Sequence, residues 1–195
     1  NLDNFYYFYI KFFKKNKKNE NTVDVIFNFM MERLRAYYQE KKIRPDVFEA
    51  VLARQPAHPL DFDKRIRGVS HFRTLPAAQS LAAAHKRIHN ILRQAEDDIP
   101  NQYTSELLIE DAECILAERL NVLAKEVKPL LQKGQYDQAL TKLASLRESV
   151  DPFFDHVMVM TDVSKLRVNR LALLKTMGDL FLQTADLSRL QGLSE

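Results

Sequence analysis

The chain has 195 residues, 46% of them hydrophobic and 28% charged, a composition typical of a globular protein with one well-buried domain. Its scattered glycines exclude glycine-rich phosphate-binding loops, and its single cysteine excludes an internal disulfide and favours a reducing, cytoplasmic setting. No apolar run reaches the roughly 18 residues of a membrane span, and no signal peptide is recognisable. Because the chain does not begin with Met, we expect a fragment or the end of a longer polypeptide.

The net charge of +3 resides in the first 22 residues. Residues 1–22 hold five of the 29 basic and two of the 26 acidic side chains, which leaves 24 of each in the rest of the chain. Aromatic residues crowd Phe5–Phe13 before a tract rich in Lys and Asn. This segment resembles either an arm that stacks on nucleic-acid bases or, the interpretation we favour, a solvated linker. We therefore predict a separate segment over residues 1–22 and a helical domain over residues 23–195.

Helical periodicity dominates the rest of the chain, and Pro or Gly residues separate the periodic stretches. The predicted helices are Val23–Glu40, Asp46–Arg54, one opening at Asp61, one starting at Pro76, Glu106–Gln132, a short return after Gly134, and a long helix that ends near Gln191. No stretch of real length alternates as a strand does, and only Val157–Met160 is ambiguous. The sequence predicts an all-α bundle of about seven helices.

The stretch Asp151–Gln191 is the longest coherent apolar segment, and we expect it to organise the core. An Asp-Pro turn at Asp151 is predicted to lead into an apolar cluster that fills the end of the bundle: Phe153, Phe154, Val157, Met158, Val159 and Met160. The helix that follows has apolar residues near one face: Leu166, Leu171, Leu174, Met177, Phe181 and Ala185. Cys114 lies in an apolar run and is also predicted to be core.

The residues of catalysis are poorly represented, and we predict no catalytic residue and no metal site. His85 and His89 have the i, i+4 spacing of metal ligands, but no Glu lies between them as in HExxH and no third ligand is identifiable. His71 and His156 lack the surroundings of a nucleophile.

The fourth predicted helix offers the best binding surface. Lys86, Asn90 and Arg93 share one side in i, i+4, i+7 register, and Arg87 flanks them. Such cations can hold phosphates while the amide hydrogen-bonds a base edge. An ordinary solvated helix face explains the same pattern.

Three stretches resemble a known family: RPDVFEAVLARQP, DFDKRIRGVSHFRTLPAAQSLAAAHKRIHNIL and, above all, DPFFDHVMVMTDVSKLRVNRLALLKTMGDLFLQTADLSRLQ. They are similar to the C-terminal, DALR-type anticodon-binding domain of the bacterial glycyl-tRNA synthetase beta subunit. The resemblance covers about Val25 to Gln191. The chain departs from the family pattern at His85, where Asn is usual, and at Thr161-Asp162-Val163, which keeps one of two acidic residues.

The resemblance implies an all-α bundle that binds glycine tRNA as part of a ligase, with neither DNA nor membrane as a partner. It implies an α2β2-type assembly in which the alpha subunit carries the active site, the beta subunit recognises tRNA, and ATP serves the whole enzyme. This chain is then non-catalytic and binds no cofactor itself.

On this basis we expect Lys86, Arg87 and Arg93 to hold phosphates and Asn90 to read a base. A second cluster at the start of the last helix, Arg167, Asn169 and Arg170, is also expected to bind RNA, aided by the helix N-terminus. Asp155 is a candidate acceptor for a cytosine amino group, or else a cap or ion-pair partner. A structural role is the interpretation that we favour over base stacking for four apolar residues: Phe153, Phe154, Met158 and Met160. Two alternatives stay open: an arginyl-type anticodon domain, and a structural module that docks on another chain without RNA.

Overall fold

A computed structural model describes residues 20–56 and 58–192. Among these residues it contains eight α-helices: α1 (Glu20–Glu40), α2 (Pro45–Leu52), α3 (Pro59–Phe72), α4 (Ala78–Gln94), α5 (Asp111–Gln132), α6 (Tyr136–Leu143), α7 (Arg147–His156) and α8 (Ser164–Leu182). Short 3₁₀ turns lie at Ser105–Leu107, Ala144–Leu146 and Leu187–Arg189. The prediction of an all-α bundle is confirmed. The predicted N-terminal segment falls almost wholly outside the described residues, and α1 begins at Glu20 rather than Val23.

Local signals set several helix ends. Pro45 and Pro59 occupy the first helical positions of α2 and α3, where the absent N–H costs no hydrogen bond. Glu110 and Glu113 form a reciprocal capping box at the start of α5. Gly134 adopts φ +66°, and the next residue's N–H donates to the Leu130 carbonyl at 2.9 Å, which ends α5 as predicted.

Helix α8 lies at the centre of the bundle. Six successive residues from Asn169 to Leu174 are buried, so the helix is enclosed on every side there. The predicted core residues Leu171, Leu174, Met177 and Phe181 are fully buried. Helices α4, α5 and α7 and the last 3₁₀ turn pack around this core.

The region after residue 146 differs from the prediction in two ways. Helix α7 runs through Pro152, where we predicted a turn, and it buries Val150 and Phe153 at i, i+3 spacing. Pro152 deprives only the Glu148 carbonyl of a helical partner, and Glu148 is exposed to water that can replace it. With this additional helix the described residues contain eight α-helices, against about seven predicted.

The predicted core positions of Met158 and Met160 are wrong. Their side chains are 72% and 50% exposed, whereas Val157 and Val159 are each 5% exposed. The backbone leaves α7 in an extended conformation at Val157, which places Val157 and Met158 on opposite sides, and a turn at residues 159 and 160 buries Val159 and exposes Met160.

Cys114 is exposed, contrary to its predicted core position. The buried residues of α5 are Glu113, Leu116, Ala117, Leu120, Leu123 and Val127. A glutamate therefore occupies the first position of this apolar series, and the neighbouring Cys114 and Ile115 face outward.

In the described part of the chain, no helix combines the length and the apolar character that crossing a membrane requires.

Candidate nucleic-acid interface

Helix α4 separates an inner apolar side from an outer polar side. Leu81, Ala84, His85 and Ile88 are buried, and this places Lys86, Arg87 and Arg93 outward, where all three are exposed. Asn90 lies between them and is half-buried. No salt bridge between described residues involves any of the three cations. We call Lys86, Arg87, Asn90 and Arg93 the α4 cationic face.

Arg87 connects this face to the end of α7. Its guanidinium lies 4.3 Å from the centre of the Phe154 ring, a cation–π contact between the two helices. Asp155, the next residue, is exposed. An exposed carboxylate thus follows, one residue along α7, the ring that Arg87 contacts, and a cation with an acceptor suits a nucleotide with its phosphate and its base amino group.

The connection between α7 and α8 adds an apolar surface to the same end of the bundle. Its exposed apolar side chains are Met158, Met160 and Val163, the last 55% exposed. Arg170 donates from Nη1 to the Met158 carbonyl at 2.9 Å, and Arg167 donates from Nη1 to the Thr161 carbonyl at 2.8 Å. Two arginines of α8 therefore hold the backbone between α7 and α8 by hydrogen bonds.

Arg167 is engaged with another residue as well. Its Nε and Nη2 donate to the two oxygens of Asp97 at 3.0 and 3.1 Å, a bidentate ion pair. These hydrogen bonds hold the pKa of Asp97 below its ordinary value. Asp97 follows the end of α4 by three residues, so the pair ties the start of α8 to the chain beyond the α4 cationic face.

Asn169 is buried, 3% exposed, and its amide is paired on both sides. Its Oδ1 accepts from the Thr104 N–H at 2.6 Å, and its Nδ2 donates to the Thr104 carbonyl at 3.0 Å. The side chain thus satisfies the N–H of Thr104, whose carbonyl also accepts the Leu107 N–H of the following 3₁₀ turn.

Arg170 is 4% exposed and forms a buried ion pair. Its Nε lies 2.5 Å from Oε1 of Glu113, which is fully buried. The other Glu113 oxygen accepts the backbone N–H groups of Ile109 and Glu110 at 2.9 Å. One carboxylate therefore links the start of α5, the centre of α8 and, through Arg170, the Met158 carbonyl.

The predicted site residues consequently fall into two groups. The α4 cationic face and Asp155 are on the surface, whereas Asn169 and Arg170 are buried and hydrogen-bonded, and Arg167 is paired with Asp97. No local sequence pattern indicates the roles of Asp97 and Glu113. The apolar run over residues 157–160 predicts Met158 and Met160 in the core, which the structure contradicts. The alternation of Val and Met over residues 157–160 was the signal for their exposure.

The histidines sit in separate surroundings. His85 is 3% exposed, and its Nδ1 accepts a hydrogen bond from the Ser188 N–H at 3.1 Å, whereas His89 is exposed. Nδ1 accepts only in the unprotonated ring, and burial lowers the pKa of His85 although the Asp186 carboxylate opposes that shift. His71 hydrogen-bonds Asp137 at the surface. Within residues 20–56 and 58–192, no three His, Cys, Asp or Glu side chains form a group able to hold a metal ion.

The described region that contains these side chains corresponds to a known type of domain. A sequence model described as the DALR anticodon binding domain matches residues 81–188, more than half of the chain. The chain is 52% identical over 173 residues to the glycine–tRNA ligase beta subunit of Mannheimia succiniciproducens, covering 89% of this chain and 25% of that protein. For the beta subunit of Pasteurella multocida the identity is 51% over 173 residues, with the same two shares of 89% and 25%. For that of Shewanella sp. strain ANA-3 it is 52% over 176 residues, with shares of 90% and 26%. The chain therefore spans about a quarter of the length of these relatives.

Proposed function

The chain belongs to the DALR anticodon binding domain family, and we propose that it recognises the anticodon arm of glycine tRNA. Its role is then that of a tRNA-binding part of a glycine–tRNA ligase beta subunit, the printed name of its relatives. The proposal extends to the whole enzyme: an α2β2-type assembly in the cytoplasm, with ATP consumed at an active site on the alpha subunit. This chain contributes binding and no chemistry.

The observation that carries the proposal is the α4 cationic face. Lys86, Arg87 and Arg93 are exposed, and no described carboxylate neutralises them by an ion pair. Cations left without an internal partner are available to displace the counterions of a phosphate backbone, which is the main source of affinity for nucleic acids.

Anticodon nucleotides suit the rest of this surface. They are loop nucleotides whose bases are unstacked and present their edges. The Asn90 amide and the Asp155 carboxylate can hydrogen-bond such edges, and Asp155 is the acceptor that a cytosine amino group requires. Within the second cluster, the observed bonds of Asn169 and Arg170 favour a supporting role behind the surface over direct contact with RNA.

The test is the salt dependence of tRNA binding by the full 195-residue chain, measured by fluorescence anisotropy between about 50 and 200 mM salt. Lys86→Ala with Arg93→Ala should weaken binding and reduce the slope of log affinity against log salt by about 1.4, since each lost phosphate contact removes about 0.7. The matched control is Lys125→Ala with Lys128→Ala, two exposed lysines on the far part of α5, which should change neither quantity.

Wild-type affinity in the Lys86 and Arg93 double variant, or binding without salt dependence, would contradict the proposed function. Glycine and arginine tRNAs are compared in the same assay, because an arginyl-type domain prefers the second.

The competing function is docking on a partner chain without RNA. It is favoured by one observation, the exposed Ile115 and Val122 on one side of α5, at 57% and 40% exposure. Such a module predicts no binding to either tRNA.

A further inference from the structure

We propose that Met158 and Met160 form an apolar platform on which unstacked bases of the bound RNA rest. This inference depends on the proposed function and identifies a subsite within it. It starts from the exposure of the two side chains, 72% and 50%, which is large for methionines that flank the buried Val159.

Contacts within the protein hold the backbone of this platform in place. Val157 and Val159 anchor the connection in the core, while Met158 between them and Met160 after them are exposed. The Met158 carbonyl is held by Arg170 and the Thr161 carbonyl by Arg167. Because Arg170 is itself held by the fully buried Glu113, the backbone beneath the platform is ordered before any ligand arrives.

The chemistry of the surroundings favours an RNA base as the occupant. Two methionines and Val163 present far less surface than the roughly 800 Å² per partner of a stable protein interface. A thioether is polarisable and packs well against the face of an aromatic ring, and every base has such a face.

The charges nearby complement a nucleotide. Arg87 reaches the end of α7, three residues before Val157, and Lys86 and Arg93 lie on the same outer side of α4. Helix α8 begins directly after Val163 with no side-chain cap and no acidic residue in its first turn, so its N–H groups are open to a phosphate. The exposed carboxylates Asp155 and Asp162 repel phosphates at their own positions but can accept from base amino groups.

The experiment uses the full chain and two RNAs: the anticodon stem-loop of glycine tRNA, and the same stem-loop made abasic at the anticodon positions. Met158→Ala with Met160→Ala should weaken binding of the first RNA about fivefold or more, the value of one stacked base, and leave the salt slope unchanged. It should not affect the abasic RNA. Met158→Leu with Met160→Leu should restore most of the affinity, and Ile115→Ala, an exposed apolar residue of α5, serves as the control.

The outcomes separate the subsite from the proposed function. If the methionine variant binds as the wild type does while Lys86→Ala with Arg93→Ala binds weakly, the platform is wrong and the proposed function stands. Equal losses on both RNAs also overturn the platform, because the contact is then not with bases. If the wild-type chain binds neither RNA, both proposals fail, and a protein partner becomes the explanation for the exposed methionines.

Discussion

The start of α8 and the outer side of α4 carry similar residues in different surroundings. In α8, Arg170 lies against a buried carboxylate and Asn169 pairs with a loop backbone. In α4, Arg93 and Asn90 belong to a surface that has no ion pair among the described residues. Arg and Asn side chains thus stabilise the fold in α8 and remain available to a ligand in α4. The difference depends on whether a distant segment supplies a partner, which a local pattern does not contain.

The largest expected difference in stability is between substitutions of Arg170 in α8 and Arg93 in α4. Arg170→Met leaves the buried Glu113 without its counter-charge, so the free energy of unfolding should fall by about 3–5 kcal/mol in urea denaturation. Arg93→Met at the exposed position should change it by no more than about 0.5 kcal/mol and should instead weaken tRNA binding.

A second variant isolates the charge at Glu113. Glu113→Gln combined with Arg170→Met removes both charges but keeps an oxygen for the capped N–H groups, so it should be more stable than Arg170→Met alone. Equal costs for Arg170→Met and Arg93→Met would show that the two helices do not differ in this way.

A smaller difference in stability is expected between substitutions of Asn169 in α8 and Asn90 in α4. Asn169→Ala removes the partner of the Thr104 N–H, while the Thr104 carbonyl keeps the Leu107 N–H as a donor, and the cost should be about 0.5–1.5 kcal/mol per hydrogen bond lost. Amide hydrogen exchange at Thr104 should accelerate in the same variant. Asn90→Ala should leave both measurements nearly unchanged and reduce only the affinity for tRNA. Faster exchange at Thr104 in the Asn90 variant would contradict the assignment of these two roles.

The sequence was sufficient for the fold because its signals are local. Helical periodicity, the prolines at residues 45 and 59 and the left-handed stop at Gly134 each act within a few residues. The α4 cationic face was predictable for the same reason, since one helix defines which residues share a side. The proline of α7 misled the prediction because Val150 and Phe153 gain more from burial than Pro152 loses at an exposed carbonyl.

The rest of the site depends on contacts between distant segments. Glu113 and Arg170 are 57 residues apart, and Asp97 and Arg167 are 70 apart, so no local pattern reveals either pair. A buried glutamate also shifts the apparent apolar side of α5, which is why Cys114 was predicted inward. The exposure of Met158 and Met160 depends on the connection between α7 and α8, which is extended at Val157 and turns at residues 159 and 160. Arg170 and Arg167 of α8 hold two carbonyls of this connection, and a local pattern does not contain those contacts.

Two histidines on α4 extend the contrast to a single helix and have the smallest expected effect. His85 and His89 are four residues apart, but the 3₁₀ turn Leu187–Arg189 covers only His85, whose Nδ1 accepts from Ser188. Burial lowers the pKa of His85 below its ordinary value of 6.5; the nearby Asp186 carboxylate opposes this shift, and a charge on His89 adds to it. Burial also opposes ionisation of Asp186, yet hydrogen bonds from Ser188 and Arg189 keep its pKa low, so it stays ionised over the range where His85 titrates in the unfolded chain.

The sign of the pH effect follows from this direction. Below about pH 6.5 the unfolded chain binds a proton that the folded His85 excludes. The free energy of unfolding therefore decreases as the pH is lowered, by at most about 1.4 kcal/mol per pH unit for one proton. His85→Asn keeps a hydrogen-bond acceptor but does not titrate, so its unfolding free energy should fall less than that of the wild type between about pH 8 and pH 5. His89→Asn, at the exposed position four residues away, is the comparison variant. Parallel curves for the wild type and His85→Asn would mean that the turn at Ser188 accepts a protonated His85, and that burial on α4 does not distinguish the two histidines.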